Sequence, residues 1–394
     1  MQIEDVTIES LRDGDLAARW DLGRQAFGAT AEFDADLPGV SPERAVAAYR
    51  GDALAGTVVT IGFTAHWGGA PIPCGGVSGV IVRPEDRGLG LAKAMLAETF
   101  DRMRSRGEVI GALFPTTATL YRGTGFEIAG SYETRKIPLA LIPATPSTSL
   151  TWRRVAFGDP AVREVYETMA PQLDGWMLPG DVWWDRHTHI ATTEKGKNRY
   201  AYVGSRNGTD VAAVHYHYDE STDRLYELGL DLLAGVDHDA VAAALAFLAG
   251  NATTAGHLQT TLPGGLLALH VPHVQQTSIV DDWPWMLRLV DVAGAFAQRR
   301  WPSPVAGRVE IDVVDDTIAA NAGPHVIEFG DGAASVEPGG AGTVRVKVTD
   351  LAAIYAGNDV AMRHRAGRLP GASTDDIDLL AAACTSSASM PYFF

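Results

Sequence analysis

The chain is expected to fold as a mixed α/β and α+β protein built from several domains. Strand-like and helix-like patterns alternate over residues 1–145 and again from residue 150 to about 295. Between these stretches lies IPATPSTS, Ile142–Ser149, rich in Pro, Ser and Thr, which reads as a linker. A length of 394 residues, 46% of them hydrophobic, also exceeds what one hydrophobic core usually organises.

In chain order, Ala53–Thr64 (ALAGTVVTIGFT) and Val77–Val82 (VSGVIV) carry the β-branched residues of strands. Ala92, Met95, Leu96, Thr99, Phe100 and Met103 then recur with helical spacing and predict one amphipathic face, with Gly107 as its stop. Val109–Phe114 predicts a buried strand, followed by a short helix bearing Tyr121 and a returning strand near Tyr132–Leu139. Further on, Ala201–Val203 and Val211–Tyr218 predict a hairpin around SRNGTD, and Val241–Ala249 predicts a helix. The last segment predicts strands at Val309–Val314, Val326–Phe329 and Val344–Val348, and helices at Asp350–Tyr355 and Asp375–Ala383.

Net charge is −16 and the pI about 5.1, which disfavours nucleic acid and anionic membranes as partners. A cationic small molecule fits better, although an acidic surplus also serves solubility alone. Cys74 and Cys384 are too few and too far apart for a disulfide framework or a cysteine metal cluster. An acidic start without an apolar core, and the lack of any long apolar run, predict a soluble, cytoplasmic protein.

The stretch RPEDRGLGLAKAM, Arg83–Met95, follows a strand and opens a helix. A helix N-terminus has unpaired N–H groups and a positive partial charge, so it suits an anion. A Walker loop would need Lys and Ser or Thr after the glycine, but Leu91 follows Gly90. A dinucleotide loop would need a third glycine, but Gly88-x-Gly90 leads to Lys93. A plain glycine turn remains the alternative.

The remaining pattern, Arg-x-x-Gly-x-Ala at Arg87, Gly90 and Ala92, resembles the acyl-CoA pyrophosphate loop of the GCN5-related N-acetyltransferases (GNAT). ALFPTTATLYRGTGFEIAG (Ala112–Gly130), WPWMLRLVDVAGAFAQRRWP (Trp283–Pro302) and VKVTDLAAIYAG (Val346–Gly357) resemble segments of the Eis-type (enhanced intracellular survival) branch. The resemblance implies tandem GNAT-fold domains followed by a sterol-carrier-protein-like α+β domain. Its boundaries would be 1–145 for the catalytic domain, 146–295 for a second domain without a cofactor loop, and 296–394 for the last. It also implies a homohexamer and transfer of acetyl from acetyl-CoA to amines such as aminoglycosides, polyamines or lysine side chains.

Carried over residue by residue, the resemblance makes Tyr121 the general acid. A phenol with a pKa near 10 is protonated at neutral pH and able to donate to a departing thiolate. An amphipathic ring anchored in a core is the other reading of Tyr121. The base would be the terminal carboxylate of Phe394, acting through water or with a pKa raised by burial. The aromatic ending SMPYFF argues against a frayed end, while Phe393 stands where the family often has an acid. Cofactor contacts would come from the strand backbone at Val80, Ile81 and Val82. Arg87, Gly88, Leu89, Gly90, Leu91, Ala92 and Lys93 would hold the pyrophosphate, with Thr116 and Thr117 near the pantetheine arm.

Glu32, Asp34 and Asp36, with Trp20, Phe27 and Phe33 nearby, are candidates for the rim of an amine pocket, or simply solvated acids. His187 and His189, His215 and His217, and His270 and His273 form close pairs, and strand positions i and i+2 share a face. No third ligand accompanies them with motif spacing, so no metal is expected. Two other functions remain open: a lipid or small-ligand carrier, and an acyl-CoA sensor without turnover.

Overall fold

The computed structural model describes residues 5–28, 32–34, 36, 41–144, 150–192, 198–221 and 224–394. The predicted linker therefore lies largely outside the described residues. The chain divides into two units: Met1–Gly130 with Pro284–Ala388 and Phe394, and Ser131–Trp283 with Ser389–Phe393.

The first segment contains β1 (Val6–Ser10), α1 (Leu16–Phe27), β2 (Ala45–Arg50), β3 (Ala53–Trp67), β4 (Ala70–Val82), α2 (Leu91–Ser105), β5 (Ile110–Leu113), α3 (Ala118–Arg122) and β6 (Glu127–Pro138). The middle segment holds β7 (Thr151–Val155), α4 (Pro160–Met169), β8 (Met177–Pro179), α5 (Asp181–Thr192), β9 (Arg199–Arg206), β10 (Thr209–Asp219), β11 (Tyr226–Gly235), α6 (His238–Ala249), β12 (Ala255–Thr260) and α7 (Gly264–Ala268). The last holds β13 (Ser278–Leu289), α8 (Val292–Gln298), β14 (Gly307–Val314), β15 (Gly323–Gly330), β16 (Ala333–Pro338), β17 (Val344–Lys347), α9 (Val348–Tyr355), α10 (Val360–Arg365) and α11 (Thr374–Ala383).

In the first unit the strand order is β1-β2-β3-β4-β5-β13, antiparallel except for the parallel pair β4–β5. The β3–β4 hairpin turns on Gly68 and Gly69, whose φ of +59° and +82° suit a two-residue turn. Helix α2 buries Leu91, Met95, Leu96, Thr99, Phe100 and Met103. The expected stripe is therefore right except at its start. The helix begins at Leu91, one turn before Met95, and Ala92 is only half-buried.

The same unit holds a smaller sheet, β16-β15-β14-β17, in which only β14 and β17 run parallel. Val309, Ile311 and Val313 alternate inward along β14, and α9 is buried from Leu351 to Tyr355. The strand expected to end at Val348 stops at Lys347, and Val348 starts α9.

The second unit orders its strands β7-β9-β10-β11-β12-β6, with β11 and β12 parallel. The predicted hairpin is β9–β10, turning at Asn207 and Gly208 with φ of +52° and +83°. Helix α6 buries Val241, Leu245 and Leu248 against this sheet's core.

The shared-face argument for histidines needs correction. His187 and His189 lie on helix α5, where positions i and i+2 point apart. His215 and His217 share β10, but a register shift separates them: His215 is buried, and His217 pairs with Asp231 and Asp219. His270 stacks on His238 at 4.3 Å. Among the described residues no three His, Cys, Asp or Glu side chains form a metal-holding group. No helix among them is long and apolar enough to cross a membrane.

Candidate active site

Strand β4 provides the first part of the site. It pairs with β5 only at Cys74–Ile110, Gly75–Gly111 and Gly76–Ala112. Beyond Gly76 its remaining partner is β3, on the other edge, at Ser78–Val59, Ile81–Thr57 and Val82–Gly56. The two parallel strands have splayed. One edge of β4, carrying Val80, Ile81 and Val82, offers main-chain donors and acceptors without a strand partner among the described residues. Gly79, at φ +55°, sits where the β3–β4 register shifts, so a bulge re-aims this edge.

The chain then makes a short turn over Pro84–Asp86. Asp86 is buried and holds the turn down through Arg83 Nη2 at 2.5 Å and Arg50 Nη2 at 2.9 Å. Gly88 and Gly90 follow with φ of +79° and +84°, a left-handed backbone that favours glycine. A Cβ at either would meet nothing within 4 Å, so conformation and not crowding calls for glycine. Gly90 caps α2 without any side-chain hydrogen bond. The first helical bond is Ala94 N–H to Gly90 O at 3.1 Å. Among the described residues the N–H groups of Gly88, Leu89, Gly90, Leu91, Ala92 and Lys93 have no acceptor. They form an open row of donors at the positive end of a helix. Arg87 is exposed and bends back, its Nε donating to Val82 O at 3.3 Å.

Across the splay, β5 leads to Thr116 and Thr117, both exposed, and into α3. Thr117 occupies the cap position but makes no capping bond. Tyr121 is 6% exposed and meets Phe126 edge-on at 6.0 Å. Its hydroxyl has no hydrogen-bond partner among the described residues, and burial pushes its pKa up to about 12. It therefore keeps its proton across the physiological range.

Phe394 lies at the apex of the splay. Its ring is 4.9 Å from that of Phe63 on β3 and 5.4 Å from that of Phe114, the residue after β5. It covers Gly76, the last β4 residue paired with β5; a Cβ there would come within 2.7 Å of the Phe394 ring and 2.4 Å of Phe63. Phe393 is 52% exposed. The structure thus brings Val80–Val82, the Gly88–Lys93 row and Phe394 onto one strand, its following loop and its paired end.

The acidic candidates come after α1 in the chain, and α1 packs on β4 with Gly23 opposite Ile81. Glu32, Asp34 and Asp36 are exposed, and Glu32 lies 3.8 Å from Arg24. Trp20 and Phe33 pair at 6.1 Å, and Phe27 is 56% exposed.

Sequence reasoning missed the socket formed by Phe63, Gly76 and Phe114, and also the Asp86 anchor. One signal was present: the doublet Gly75-Gly76 inside a strand marks close approach of another group. Nothing local identified the two phenylalanines, one on β3 and one just past the end of β5.

Residues 7–129 match the acetyltransferase (GNAT) domain family, and residues 292–393 match the sterol carrier protein domain family. An uncharacterized N-acetyltransferase of Streptomyces avermitilis is 25% identical over 410 aligned positions, covering 98% of both chains. A GCN5-related N-acetyltransferase from Anabaena variabilis superposes with a TM-score of 0.90 at 23% identity, over 99% of this chain and 100% of that one. Eis1 from Mycobacterium abscessus superposes at 0.82 with 19% identity, over 99% and 100% of the two chains. At such identities the structures speak for the fold: tandem GNAT-fold domains and a C-terminal sterol-carrier-like domain. The chain is thus an acetyltransferase, with a GNAT domain at residues 7–129 and a sterol carrier protein domain at residues 292–393.

Proposed function

We propose that the protein transfers acetyl from acetyl-CoA to a primary amine by direct attack, and that it belongs to the Eis-type branch. The observation that carries this reading is the open β4 edge running into the unpartnered N–H row of Gly88 to Lys93. A pantetheine arm carries amides that match a strand edge, and a pyrophosphate matches uncapped helix donors. Val80, Ile81 and Val82 take the amide role and aim one N–H at the thioester oxygen, where charge develops. Arg87 adds charge beside the pyrophosphate, and Thr116 and Thr117 flank the arm.

In this mechanism the deprotonated amine forms the C–N bond as the C–S bond breaks. Tyr121 donates its proton to the departing sulfur, consistent with a phenol held neutral by burial. The ammonium proton leaves through water toward the Phe394 carboxylate, whose ring is held by Phe63 and Phe114. Glu32, Asp34 and Asp36 attract cationic acceptors, for which aminoglycosides, polyamines and lysine side chains are the classes to test. The division at residues 1–145, 146–295 and 296–394, the homohexamer and a cytoplasmic location belong to the same proposal.

The test is CoA release from acetyl-CoA, followed by thiol titration on untagged protein against those amines. Tyr121→Phe should lower turnover about 10²–10⁴-fold with acetyl-CoA affinity unchanged. Equal turnover would remove Tyr121 from the mechanism. Binding of acetyl-CoA without release on any amine would favour a sensor.

A further inference from the structure

A cavity of about 500 Å³ lies in the first unit, lined by the end of α3 and by the segments around β14 and β17. Its lining includes Arg122, Gly125, Asp315, Lys347, Thr349 and Arg368. Two of its carboxylates are already matched. Glu127 accepts from Arg122 Nη2 at 2.7 Å, and Asp315 accepts from Arg288 Nη2 at 2.6 Å. Lys347 and Arg368 have no ionic partner among the described residues. Asp316, exposed at the rim, is the one lining acid without an ionic partner among the described residues.

Two further features add positive potential. Helix α9 begins at the cavity with Val348 and Thr349, and no side chain caps it. Asp350, in its first turn, is turned away to Arg363 Nη1 at 2.7 Å. Behind the wall lies Arg288, 0% exposed, with Nε and Nη1 lacking hydrogen-bond partners among the described residues. Its guanidinium carbon lies 2.5 Å from where a Cβ on Gly125 would be, so only glycine at Gly125 lets it approach this wall.

We propose that this cavity binds a small multivalent anion: phosphate, or the phosphoryl group of a phosphorylated metabolite. Lys347 and Arg368 supply the mobile charges, the start of α9 supplies N–H donors, and Thr349 supplies a hydroxyl. The lining holds three cations and three acids, but among the described residues two cations (Lys347 and Arg368) and one acid (Asp316) are left without an ionic partner, a local exception on a chain of net charge −16. The site adjoins Arg122, the residue after Tyr121, so its occupant would touch the helix that carries the proposed acid.

The experiment is calorimetric titration of the full chain with phosphate, pyrophosphate and glucose 6-phosphate. Saturating CoA is present throughout to fill the Gly88–Lys93 loop. Failure of CoA itself to bind would count against the proposed function and is read separately. Saturable binding is expected, weakened at least about tenfold in Lys347→Ser/Arg368→Ser and unchanged in Arg308→Ser, which removes an exposed positive charge outside the cavity. Both substituted residues are exposed, so folding is not at stake. Tighter binding of glucose 6-phosphate than of phosphate would identify a metabolite, and the reverse would identify the free ion. No saturable binding of any probe, or equal affinity in the double variant, would overturn the proposal.

Discussion

The molecule builds the same strand–helix–strand passage twice and finishes it in two ways. In the first unit β4 ends at Val82, and residues 83–90 intervene before α2 starts at Leu91. In the second unit β11 ends at Gly235, and only Val236 and Asp237 precede α6. The long connection holds two left-handed glycines and leaves its helix uncapped. The short one ends in a carboxylate: Asp237 Oδ1 accepts from Ala240 N–H at 2.8 Å, and its other oxygen accepts from Arg206 at 2.7 Å. A negative charge already sits where an anion would have to sit.

The splays differ as well. Strand β11 pairs with β12 only up to Gly229–Gln259, so this unit also opens between its parallel strands. That opening is filled by the chain's own tail. Thr261 Oγ1 donates to Pro391 O at 3.3 Å, Tyr392 O–H donates to Met177 O at 2.5 Å, and the space left is about 20 Å³, roughly one water. One fold therefore yields an open groove or a closed one according to the loop length, the cap residue and what occupies the splay.

The sharpest way to break this contrast is to give the first unit the second unit's charge. Gly90→Asp places a carboxylate against the N–H row, and acetyl-CoA affinity should fall at least about 100-fold. The residue must adopt φ +84°, which costs a non-glycine residue about 1–2 kcal/mol. Gly90→Asn carries a comparable strain without the charge and should keep most of the affinity. Equal loss in both variants would mean that backbone shape, not charge, controls the site.

Next in size is the tail. Removing Phe394 takes away the ring between Phe63 and Phe114 and the proposed base together. Turnover should fall about 10²-fold or more while acetyl-CoA still binds. Full turnover in the truncated chain would rule out the terminal carboxylate as the base.

These contrasts also show what could be read in advance. Gly88 and Gly90 were legible because left-handed backbone selects glycine at single positions. Tyr121 is singled out only through the motif around it, since a buried tyrosine ring is common, and its role as the acid stays a proposal. The Phe63–Gly76–Phe114 socket was not, because it joins two strands and a strand end to the chain terminus. The Arg288–Asp315 pair joins residues 27 apart and escaped for the same reason. The histidines misled because helix α5 was not foreseen, and spacing gives a shared face only once the element type is known.

A smaller effect separates the units by pH. His215 in the second unit lies against Phe157 at 4.2 Å and His187 at 5.9 Å, with both ring nitrogens unpartnered among the described residues. Burial, then the charge of His187, lowers its pKa to about 3. A depressed folded-state value means the stabilisation is intact above the unfolded value near 6.5 and is lost as pH falls toward 3. At pH 5 the loss should be about 2 kcal/mol relative to neutral pH. His187 is depressed too and adds to the slope. Denaturant melts of wild type and His215→Phe at pH 7 and pH 5 test this. An unchanged pH slope in the variant would remove His215 as its source.

The smallest expected effect asks whether the second unit can be opened. Asp237→Ala removes the cap and should cost about 1 kcal/mol of stability, seen as a lowered melting temperature. It should not create a CoA site, because two residues between β11 and α6 cannot present a row of free N–H groups, and Tyr392 still fills the splay. The measurement belongs in a Gly90→Asp background, where any CoA binding that returns must come from the second unit. Its return would mean that one capping carboxylate, rather than the lost loop, is what closed that half of the molecule.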